Sequence, residues 1–362
     1  MTHLVQLASR FAIEGAVAEV KPLGEGFIND TYTVTLEGQQ DPAYILQRKN
    51  HLVFPDVPAM MDNIDRVTRY IKGRVHDPLR QTLTVIPAKD GKLYYKQRNG
   101  NYWAMTRYIS DTMSYTRADS PQIAYQGGLG LGQFHRLVDG FQEPLAEVIK
   151  GFHNIRWRFQ QWDEALARDA AGRVGDLQEE IGWIESRREQ MLAFWKLYET
   201  GVIPARVTHN DTKISNFLFN ADDRSLLCAI DLDTLMTSTL LNDTGDALRS
   251  YTNTGEEDDP DLSRVSMSLR MFQAYMEGYL SMMAGALTQS EIDHLAFSGL
   301  YITYEQVLRF LMDYIDGDTY YKIKYPEHNL VRTRAQYKLL TSMEAQLPEM
   351  NAVVERLVRL NR

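Results

Sequence analysis

Polar residues that could carry out chemistry flank two short apolar runs near the middle of the chain. They are His209, Asp211, Lys213 and Asn216 before the runs, and Asp231 and Asp233 after them. The runs, 217–219 and 226–230, are joined by turn-forming residues, so the stretch predicts a β-hairpin. Because a hairpin returns its outer ends to one place, we expect Asp211, Asn216 and Asp231 to converge. Two carboxylates, an amide oxygen and an ammonium group at one point suit phosphoryl transfer.

Each of these residue types fits one part of that reaction. Asp211 is the candidate to accept a hydrogen bond from the attacking hydroxyl group. Asn216 and Asp231 supply the hard oxygen ligands that would hold Mg²⁺ against the phosphates. Lys213 would stabilise the equatorial oxygens of the transferred group. The alternative is a solvated polar loop beside an ordinary hairpin; any one residue alone would favour it, but the combined spacing favours a phosphotransferase site.

Length and composition limit the class of protein. The 362 residues suit two lobes or domains, and the apolar (44%) and charged (24%) fractions are typical of globular proteins. The net charge of −9 argues against a surface that binds nucleic acid or anionic membranes. Cys228 is the only cysteine, which excludes an internal disulfide and favours a reducing, cytoplasmic compartment. The sequence shows neither a signal peptide nor an apolar stretch of transmembrane length, so no membrane partner is expected.

The first third of the chain predicts a small antiparallel sheet with one helix. Strands are expected at 16–20, 32–36, 43–48, 83–87, 93–97 and 102–109, and a helix from Val57 to Val75. A glycine-bearing turn between the first two strands can lay backbone N–H groups over phosphates, although a plain hairpin turn is the alternative. The turn consists of Gly24, Glu25, Gly26, Phe27, Ile28 and Asn29. Strand alternation gives Ile45 and Gln47 the same inner face.

The spacing of the catalytic stretch matches a known pattern. The pattern H-x-D-x-K-x-x-N, complete from His209 to Asn216, resembles the catalytic loop of the protein-kinase-like superfamily. Its H-N-D form resembles the aminoglycoside phosphotransferase and choline kinase branch. The resemblance implies an α+β, bilobal fold, with a small antiparallel-sheet N-lobe at 1–109 and a larger, mainly helical C-lobe at 110–362. It also implies that the glycine-bearing turn is the phosphate loop, and that a hinge formed by Thr106, Arg107, Tyr108 and Ile109 gives main-chain hydrogen bonds to adenine.

The same resemblance predicts a phosphate-binding residue on the third strand. The superfamily carries a lysine there that touches the α- and β-phosphates, and Gln47 occupies that place. Glutamine can donate a hydrogen bond to phosphate but cannot neutralise it, and Arg48 could do so only if the register shifts by one residue. The acidic residues of the following helix, Asp62 and Asp65, are expected on a solvated face. Because of Gln47, a pseudokinase that binds ATP without turnover is one alternative; the intact acidic residues of the catalytic stretch argue against it.

The remaining segments are predicted to be mainly helical, with helices at 121–138, 155–168 and 177–198. His135, on the first of these, is expected to be a buried structural histidine, because no partner with metal-ligand spacing accompanies it. One of Asp243 and Asp246 is expected to accept hydrogen bonds from the catalytic-loop backbone, as in the superfamily.

The C-terminal residues 308–334 combine arginines and tyrosines with carboxylates. The pattern R-F-L-x-D-Y-x-x-G-D-x-Y runs from Arg309 to Tyr320 and is followed by Y-P-E-H-N-L-V-R-T-R. Such side chains suit a sugar, whose hydroxyls need charged hydrogen-bond partners and whose ring faces stack on aromatics. The alternative for Arg309 is an internal salt bridge, and for Tyr320 a packed ring.

These patterns resemble the N-acetylhexosamine 1-kinase family. That family phosphorylates the anomeric hydroxyl of N-acetylglucosamine or N-acetylgalactosamine with ATP and Mg²⁺. We therefore expect Arg309 and Tyr320 to contact the sugar, and Asp233 to contact the sugar or a metal or to stabilise its turn. The other candidate is a kinase of an aminoglycoside, choline or homoserine. The C-terminal arginines argue against a polycationic aminoglycoside.

Overall fold

The computed structural model describes residues 3–24 and 29–362, which form two compact units. The first unit comprises Met1–Tyr115, Leu137–Lys150 and Asn216–Thr237, and the second comprises Thr116–Arg136, Gly151–Ser215 and Ser238–Arg362. Both units are discontinuous in sequence. This division into compact units does not test the expected domains 1–109 and 110–362, which stay a prediction.

The helices have the following bounds: α1 (His3–Ala8), α2 (Val57–Lys72), α3 (Pro121–Val138), α4 (Ile155–Arg168), α5 (Gln178–Glu185), α6 (Arg188–Glu199), α7 (Leu240–Tyr251), α8 (Leu269–Met283), α9 (Gln289–Ile315), α10 (His328–Ala345) and α11 (Leu347–Asn361). The strands are β1 (Val17–Pro22), β2 (Asp30–Leu36), β3 (Tyr44–Lys49), β4 (Val85–Ile86), β5 (Tyr95–Lys96), β6 (Tyr102–Arg107), β7 (Thr112–Met113), β8 (Arg206–Thr208), β9 (Phe217–Asn220), β10 (Leu226–Ala229) and β11 (Met236–Ser238). Short 3-10 helices occupy Val174–Asp176, Ile214–Asn216, Leu232–Thr234 and Leu262–Arg264.

The first unit is built on an antiparallel sheet with the strand order β1-β2-β3-β6-β4, in which β5 also pairs with β6. Alternate residues of β2 and β3, among them Val34 and Leu46, are buried in a core that also takes residues of α1. The opposite face of β3 carries Ile45, Gln47 and Lys49, because successive strand residues point to opposite sides. This face lines a cavity of the same unit.

The predicted hairpin lies in the first unit as well. β9 pairs with β10 and with β7 in a three-stranded antiparallel sheet, and the turn at 221–225 joins β9 to β10. Cys228 is buried in β10, and this burial raises the pKa of its thiol to about 12. The cysteine therefore belongs to the apolar interior of the hairpin, as the sequence predicts.

The second unit is mainly helical, and glycines let its helices approach closely. A Cβ atom at Gly245 of α7 would collide with the carbonyl of Ser298 on α9. Cβ atoms at Gly128 of α3 and at Gly278 of α8 would collide with the backbone of the opposite helix. These close contacts fix α3 and α7, which carry the side chains that support the catalytic loop.

The expected α+β class is confirmed, with an antiparallel sheet in the N-terminal part and a larger helical part. The helices expected at 121–138 and 155–168 have those bounds. The single helix expected at 177–198 is wrong, because the chain divides into α5 and α6 around Ser186. Within residues 3–24 and 29–362, no helix is long and apolar enough to cross a membrane.

Candidate active site

The backbone of the catalytic loop is held by two buried carboxylates of α7. Asp243 accepts hydrogen bonds from the N–H groups of His209 (2.7 Å) and Asn210 (2.6 Å). Asp246 accepts one from the N–H of Thr212 (3.0 Å). Asn210 has a φ of 64°, a left-handed conformation that asparagine tolerates better than most residues. The expectation that one of the two carboxylates binds this backbone is confirmed, and both do so.

His135 supports this clamp from α3. Its Nε2 lies 2.9 Å from Oδ2 of Asp243, and its Nδ1 lies 3.1 Å from the hydroxyl of Tyr279. The imidazole is 2% exposed, and both ring nitrogens have protein partners. The prediction of a buried structural histidine is confirmed.

Asp246 keeps its negative charge in spite of its burial. Burial raises the pKa of this carboxyl group, but Arg249, His153 and Lys213 outweigh that effect and lower the pKa overall. The carboxylate can therefore act as a permanent acceptor for the catalytic loop.

Asp211 and Lys213 form an ion pair on this loop. The Nζ of Lys213 lies 3.0 Å from Oδ1 of Asp211, and the side chains are 50% and 25% exposed, respectively. The two predicted catalytic residues thus adjoin each other and remain accessible to a ligand. Asp211 belongs to the second unit, whereas Asn216 and Asp231 belong to the first. Their convergence stays a prediction.

Lys213 also lines a polar cavity of about 200 Å³ in the second unit. The charged or amide side chains around it are Arg117, Lys213, Arg249, Asn253, Glu256, Glu257 and Gln336. Most of these charges are paired: Arg117 binds Glu256, and Nη1 of Arg249 lies 2.7 Å from Oε2 of Glu257. The cavity therefore offers both donors and acceptors without a large excess of either charge.

A second cavity, of about 270 Å³, lies wholly within the first unit. Several residues predicted for the nucleotide and metal line it together: Gln47, Arg107, Ile109, Asn216, Asp231 and Asp233. The N–H of Ile230 donates to the carbonyl of Asn216 at 2.8 Å, which brings the two predicted metal ligands to the same end of the hairpin. Asp231 has a φ of 56°, a strained conformation of the kind that clusters at functional sites.

Lys49 is a functional candidate that sequence reasoning missed. It is 3% exposed and lines the same cavity as Gln47, two residues earlier on β3. Its Nζ lies 2.6 Å from Oδ1 of Asp233 and 2.8 Å from Oε1 of Gln47. The signal was available in the strand alternation, but the predicted strand ended at residue 48, one residue too early. The predicted register holds, because Arg48 instead pairs with Asp30 at 2.6 Å.

Gln47 and Asp233 are both engaged by protein groups. The Nε2 of Gln47 donates to the hydroxyl of Thr31 at 3.2 Å, and its Oε1 accepts from Lys49. Oδ2 of Asp233 accepts from Nδ2 of Asn29 at 2.7 Å, while its Oδ1 binds Lys49. Both oxygens of the buried Asp233 thus have partners, which favours a supporting role over the predicted contact with the sugar.

The predicted phosphate loop is described only at its ends. Gly24 has a φ of 66°, a conformation that glycine adopts readily, and Asn29 is buried against Asp233. Glu25, Gly26, Phe27 and Ile28 lie outside the described residues.

The predicted sugar residues, Arg309 and Tyr320, line neither of these two cavities. The guanidinium carbon of Arg309 lies 5.7 Å from the ring centre of Tyr320 and 5.5 Å from that of Tyr321. Among the described residues no carboxylate lies within 4.0 Å of Arg309, so the alternative of an internal salt bridge is not realised there. Tyr320 is 62% exposed, but its ring packs edge to face on that of Tyr321 with 4.8 Å between the ring centres, so the alternative of a packed ring is partly realised. A contact with substrate stays a prediction for both.

The available metal donors are few. In the described part of the chain, no cluster of three or more His, Cys, Asp or Glu side chains could hold a metal ion. Asp231 and Asn216 are nevertheless a suitable set for Mg²⁺, which binds hard oxygens and usually takes only one or two protein ligands beside phosphates and water.

Comparisons with known proteins bear on the family and the fold. Residues 19–279 match the sequence model of the phosphotransferase enzyme family, APH. A microcompartment-associated aminopropanol kinase has a similar structure, with 15% identity, a TM-score of 0.66 and coverage of 96% of this chain and 98% of its own. An aminoglycoside phosphotransferase from Alicyclobacillus acidocaldarius follows at 12% identity and a TM-score of 0.63, covering 98% and 97%.

A spectinomycin phosphotransferase in complex with ADP and spectinomycin is similar at 13% identity and a TM-score of 0.56, covering 97% of each chain. At such identities the likeness concerns the fold alone. It confirms the expected kinase-like fold over nearly the whole chain.

Proposed function

The chain belongs to the phosphotransferase enzyme family, and we propose that it transfers the γ-phosphoryl group of ATP to the anomeric hydroxyl of an N-acetylhexosamine. The observation that carries the phosphotransferase part is the clamped loop, on which Asp243 and Asp246 hold the backbone around Asp211. The hexosamine part rests on the C-terminal pattern from Arg309 to Tyr320, which resembles the N-acetylhexosamine 1-kinase family.

In this proposal Asp211 accepts the hydrogen bond of the attacking hydroxyl and orients its oxygen toward the γ-phosphorus. Lys213, 3.0 Å from Asp211, keeps the carboxylate in place and adds positive charge beside the transferred phosphoryl oxygens. Positioning and charge stabilisation supply most of the rate enhancement of phosphoryl transfer, so a rigid loop is what the reaction needs.

The nucleotide would occupy the cavity of the first unit. Lys49 is the cation for the phosphates, held by Gln47 and Asp233. At the hinge, the N–H of Arg107 already donates to Thr84 O and that of Tyr108 to Ala43 O, both at 2.9 Å. Thr106 is paired within the sheet, so Ile109 is the one of the four predicted hinge residues proposed to bind adenine through its backbone.

Asp231 and Asn216 would hold Mg²⁺, because they place two hard oxygen donors on the cavity that Lys49 lines. The bound ion would neutralise charge on the β- and γ-phosphates. The pseudokinase alternative was based on Gln47, which leaves no cation at the expected position of β3. Lys49 lines the same cavity and provides a cation there, which argues against that alternative. A cytoplasmic location, where ATP is available, is part of the proposal.

The cavity beside Lys213 suits a neutral, hydroxyl-rich acceptor. Its arginines are paired with Glu256 and Glu257, so it presents donors and acceptors in similar number. A polycationic aminoglycoside would need unpaired carboxylates to offset its charge. A sugar needs only alternating donors and acceptors, which this lining provides.

The test is a panel of acceptors with ADP release as the readout. N-acetylglucosamine, N-acetylgalactosamine, choline, ethanolamine, homoserine and kanamycin are each supplied with Mg²⁺ and ATP. We expect turnover with the two hexosamines, and ³¹P and ¹H NMR of the product should show phosphate on the anomeric carbon. Turnover only with an amine or amino alcohol would refute the sugar assignment while leaving the family intact.

The matched variant is Asp211→Asn, which keeps the size of the side chain. We expect ATP binding to stay near wild type and turnover to fall at least about 10²-fold, as for other groups that act as general base and orient the acceptor. Wild-type turnover in Asp211→Asn would remove Asp211 from the mechanism.

A further inference from the structure

We propose that Asp233 is a positioning residue that holds the ammonium group of Lys49 toward the phosphates of the nucleotide. This inference rests on the proposed function, because it assigns the cavity of the first unit to ATP. It gives Asp233 a role other than contact with metal or sugar, and it makes Asn29 the residue that fixes Asp233.

The ammonium group of Lys49 is oriented by two acceptors. Its Nζ lies 2.6 Å from Oδ1 of Asp233 and 2.8 Å from Oε1 of Gln47, and Gln47 is itself held by the hydroxyl of Thr31 at 3.2 Å. An ammonium group has three N–H donors. Two are directed at protein acceptors, which leaves the third for an oxygen of the ligand that enters the cavity.

The carboxylate of Asp233 is fixed in turn by its second oxygen. Oδ2 accepts from Nδ2 of Asn29 at 2.7 Å, and Oδ1 of Asn29 accepts from the N–H of Asn50 at 3.0 Å. Asn29 ends the glycine-bearing turn, Asn50 follows Lys49 directly, and Asp233 lies two residues after Asp231. One carboxylate therefore connects the end of the proposed phosphate loop, the end of β3 and the segment that carries a proposed metal ligand.

The carboxylates of α2 have other partners. Asp62 lies 2.9 Å from the guanidinium group of Arg66, and Asp65 binds Arg69, both within the same helix. The structure thus gives the role of counter-charge for Lys49 to the segment after β10 and not to the helix.

Burial makes this pair sensitive to the loss of either member. The side chains of Lys49 and Asp233 are only 4% and 6% exposed. Away from water, a charge that loses its partner is strongly disfavoured. Without Asp233, Lys49 would extend toward solvent, because a lysine can carry its ammonium group to the surface on a flexible stem. The phosphates would then lose a preoriented donor.

The test is a double-mutant cycle on nucleotide affinity, read by calorimetry with ADP and with a nonhydrolysable ATP analogue, each with and without Mg²⁺. Asp233→Asn and Lys49→Met should each raise Kd by roughly ten- to a hundredfold, the range expected for losing a charged hydrogen bond to phosphate. If Asp233 acts through Lys49, the double variant should bind no more weakly than Lys49→Met alone.

Arg48→Ala is the matched control. Arg48 adjoins Lys49 on β3 and forms a comparable ion pair with Asp30 at 2.6 Å, but its side chain is 32% exposed and does not line the cavity. This variant should leave nucleotide affinity unchanged. Asn29→Ala takes the place of Asp233→Asn in the cycle if the latter does not fold, since it removes only one hydrogen bond to the carboxylate.

If the double variant lost as much binding free energy as the two single variants together, the inference would be overturned. So would a loss in Asp233→Asn that occurs only with Mg²⁺ and persists in the Lys49→Met background, because that result would make Asp233 a metal ligand. Unchanged affinity in Asp233→Asn, with wild-type binding intact, would also overturn it while leaving the proposed function standing. A wild-type protein that binds no adenine nucleotide would refute the proposed function itself.

Discussion

Replacing Asp243 with asparagine tests whether the α7 clamp positions the catalytic loop. Oδ2 of Asp243 accepts from the N–H of His209 at 2.7 Å and lies 2.9 Å from Nε2 of His135, and Oδ1 accepts from the N–H of Asn210 at 2.6 Å. Asparagine keeps one acceptor oxygen. The asparagine amide can be oriented in two ways. The more favourable orientation puts its oxygen in the place of Oδ2 and keeps both contacts of that atom, and the new NH₂ group then faces the N–H of Asn210.

The expected losses of stability and of turnover follow from this orientation of the amide. One charge-assisted hydrogen bond is lost and one buried backbone donor stays unsatisfied, which together cost about 2–4 kcal/mol of unfolding free energy. In a protein of this size, with an unfolding entropy of about 0.8 kcal/mol/K, that corresponds to a decrease in Tm of about 3–5 °C. Because Asn210 precedes Asp211, the catalytic carboxylate shifts with it, and a displacement of about 1 Å costs on the order of 10²-fold in turnover.

The assays are thermal unfolding and kcat at saturating ATP and acceptor, with Glu291→Gln as the control. Glu291 is also buried, its Oε2 accepts from the N–H of Thr288 (2.8 Å) and lies 3.0 Å from Nη2 of Arg206, and it lines neither cavity. We expect a similar loss of stability in both variants, but a large loss of kcat only in Asp243→Asn. Equal kcat in the two variants would mean that the α7 clamp serves stability alone, and the reasoning would be refuted.

Three further predictions concern the metal, the acceptor and acid stability. Asp231→Ala should abolish the Mg²⁺ dependence of nucleotide binding, because a carboxylate is the stronger of the two proposed ligands; an unchanged Mg²⁺ titration by calorimetry would contradict the metal assignment. Arg309 lines neither cavity, so a sugar bound beside Lys213 would have to extend beyond that cavity to reach it. If it does, Arg309→Ala should raise KM for N-acetylhexosamine roughly ten- to a hundredfold and leave KM for ATP near wild type; a lower Tm with unchanged sugar KM would make Arg309 structural. Burial opposes ionisation of Glu305, but His153 and Arg158 outweigh it and lower its pKa to about 2. A carboxyl group with a depressed pKa stabilises the fold above its unfolded value and loses that contribution as the pH falls from about 4.5 toward 2. Chemical unfolding across that range should therefore be less pH-dependent in Glu305→Gln than in wild type, and equal slopes would exclude Glu305 as a source of acid sensitivity.

The sequence alone identified the loop from His209 to Asn216 as the candidate catalytic stretch and part of the support for its backbone. The polar residues of the loop lie within a few positions of one another, so their spacing is visible without a fold. Helices α3 and α4 were predicted with their observed bounds, because Pro121 at a helix start and Asn154 as a capping residue act on their own neighbours. The resemblance also led us to expect that one of Asp243 and Asp246 binds the loop backbone, and the structure shows that both do.

The pairing of Lys49 with Asp233 required the tertiary structure. β3 ends at Lys49 because that residue pairs with Tyr102 of β6, a partner distant in sequence. Local composition could not reveal this last pair, and the predicted strand therefore stopped one residue before the buried lysine. The carboxylate that neutralises Lys49 lies 184 residues further along the chain. The sequence by itself determined the residue types and their local spacing, because these depend on neighbouring residues. Only the tertiary structure decided which buried charges meet, because the loss of water that forces charges to pair occurs only when distant segments pack together.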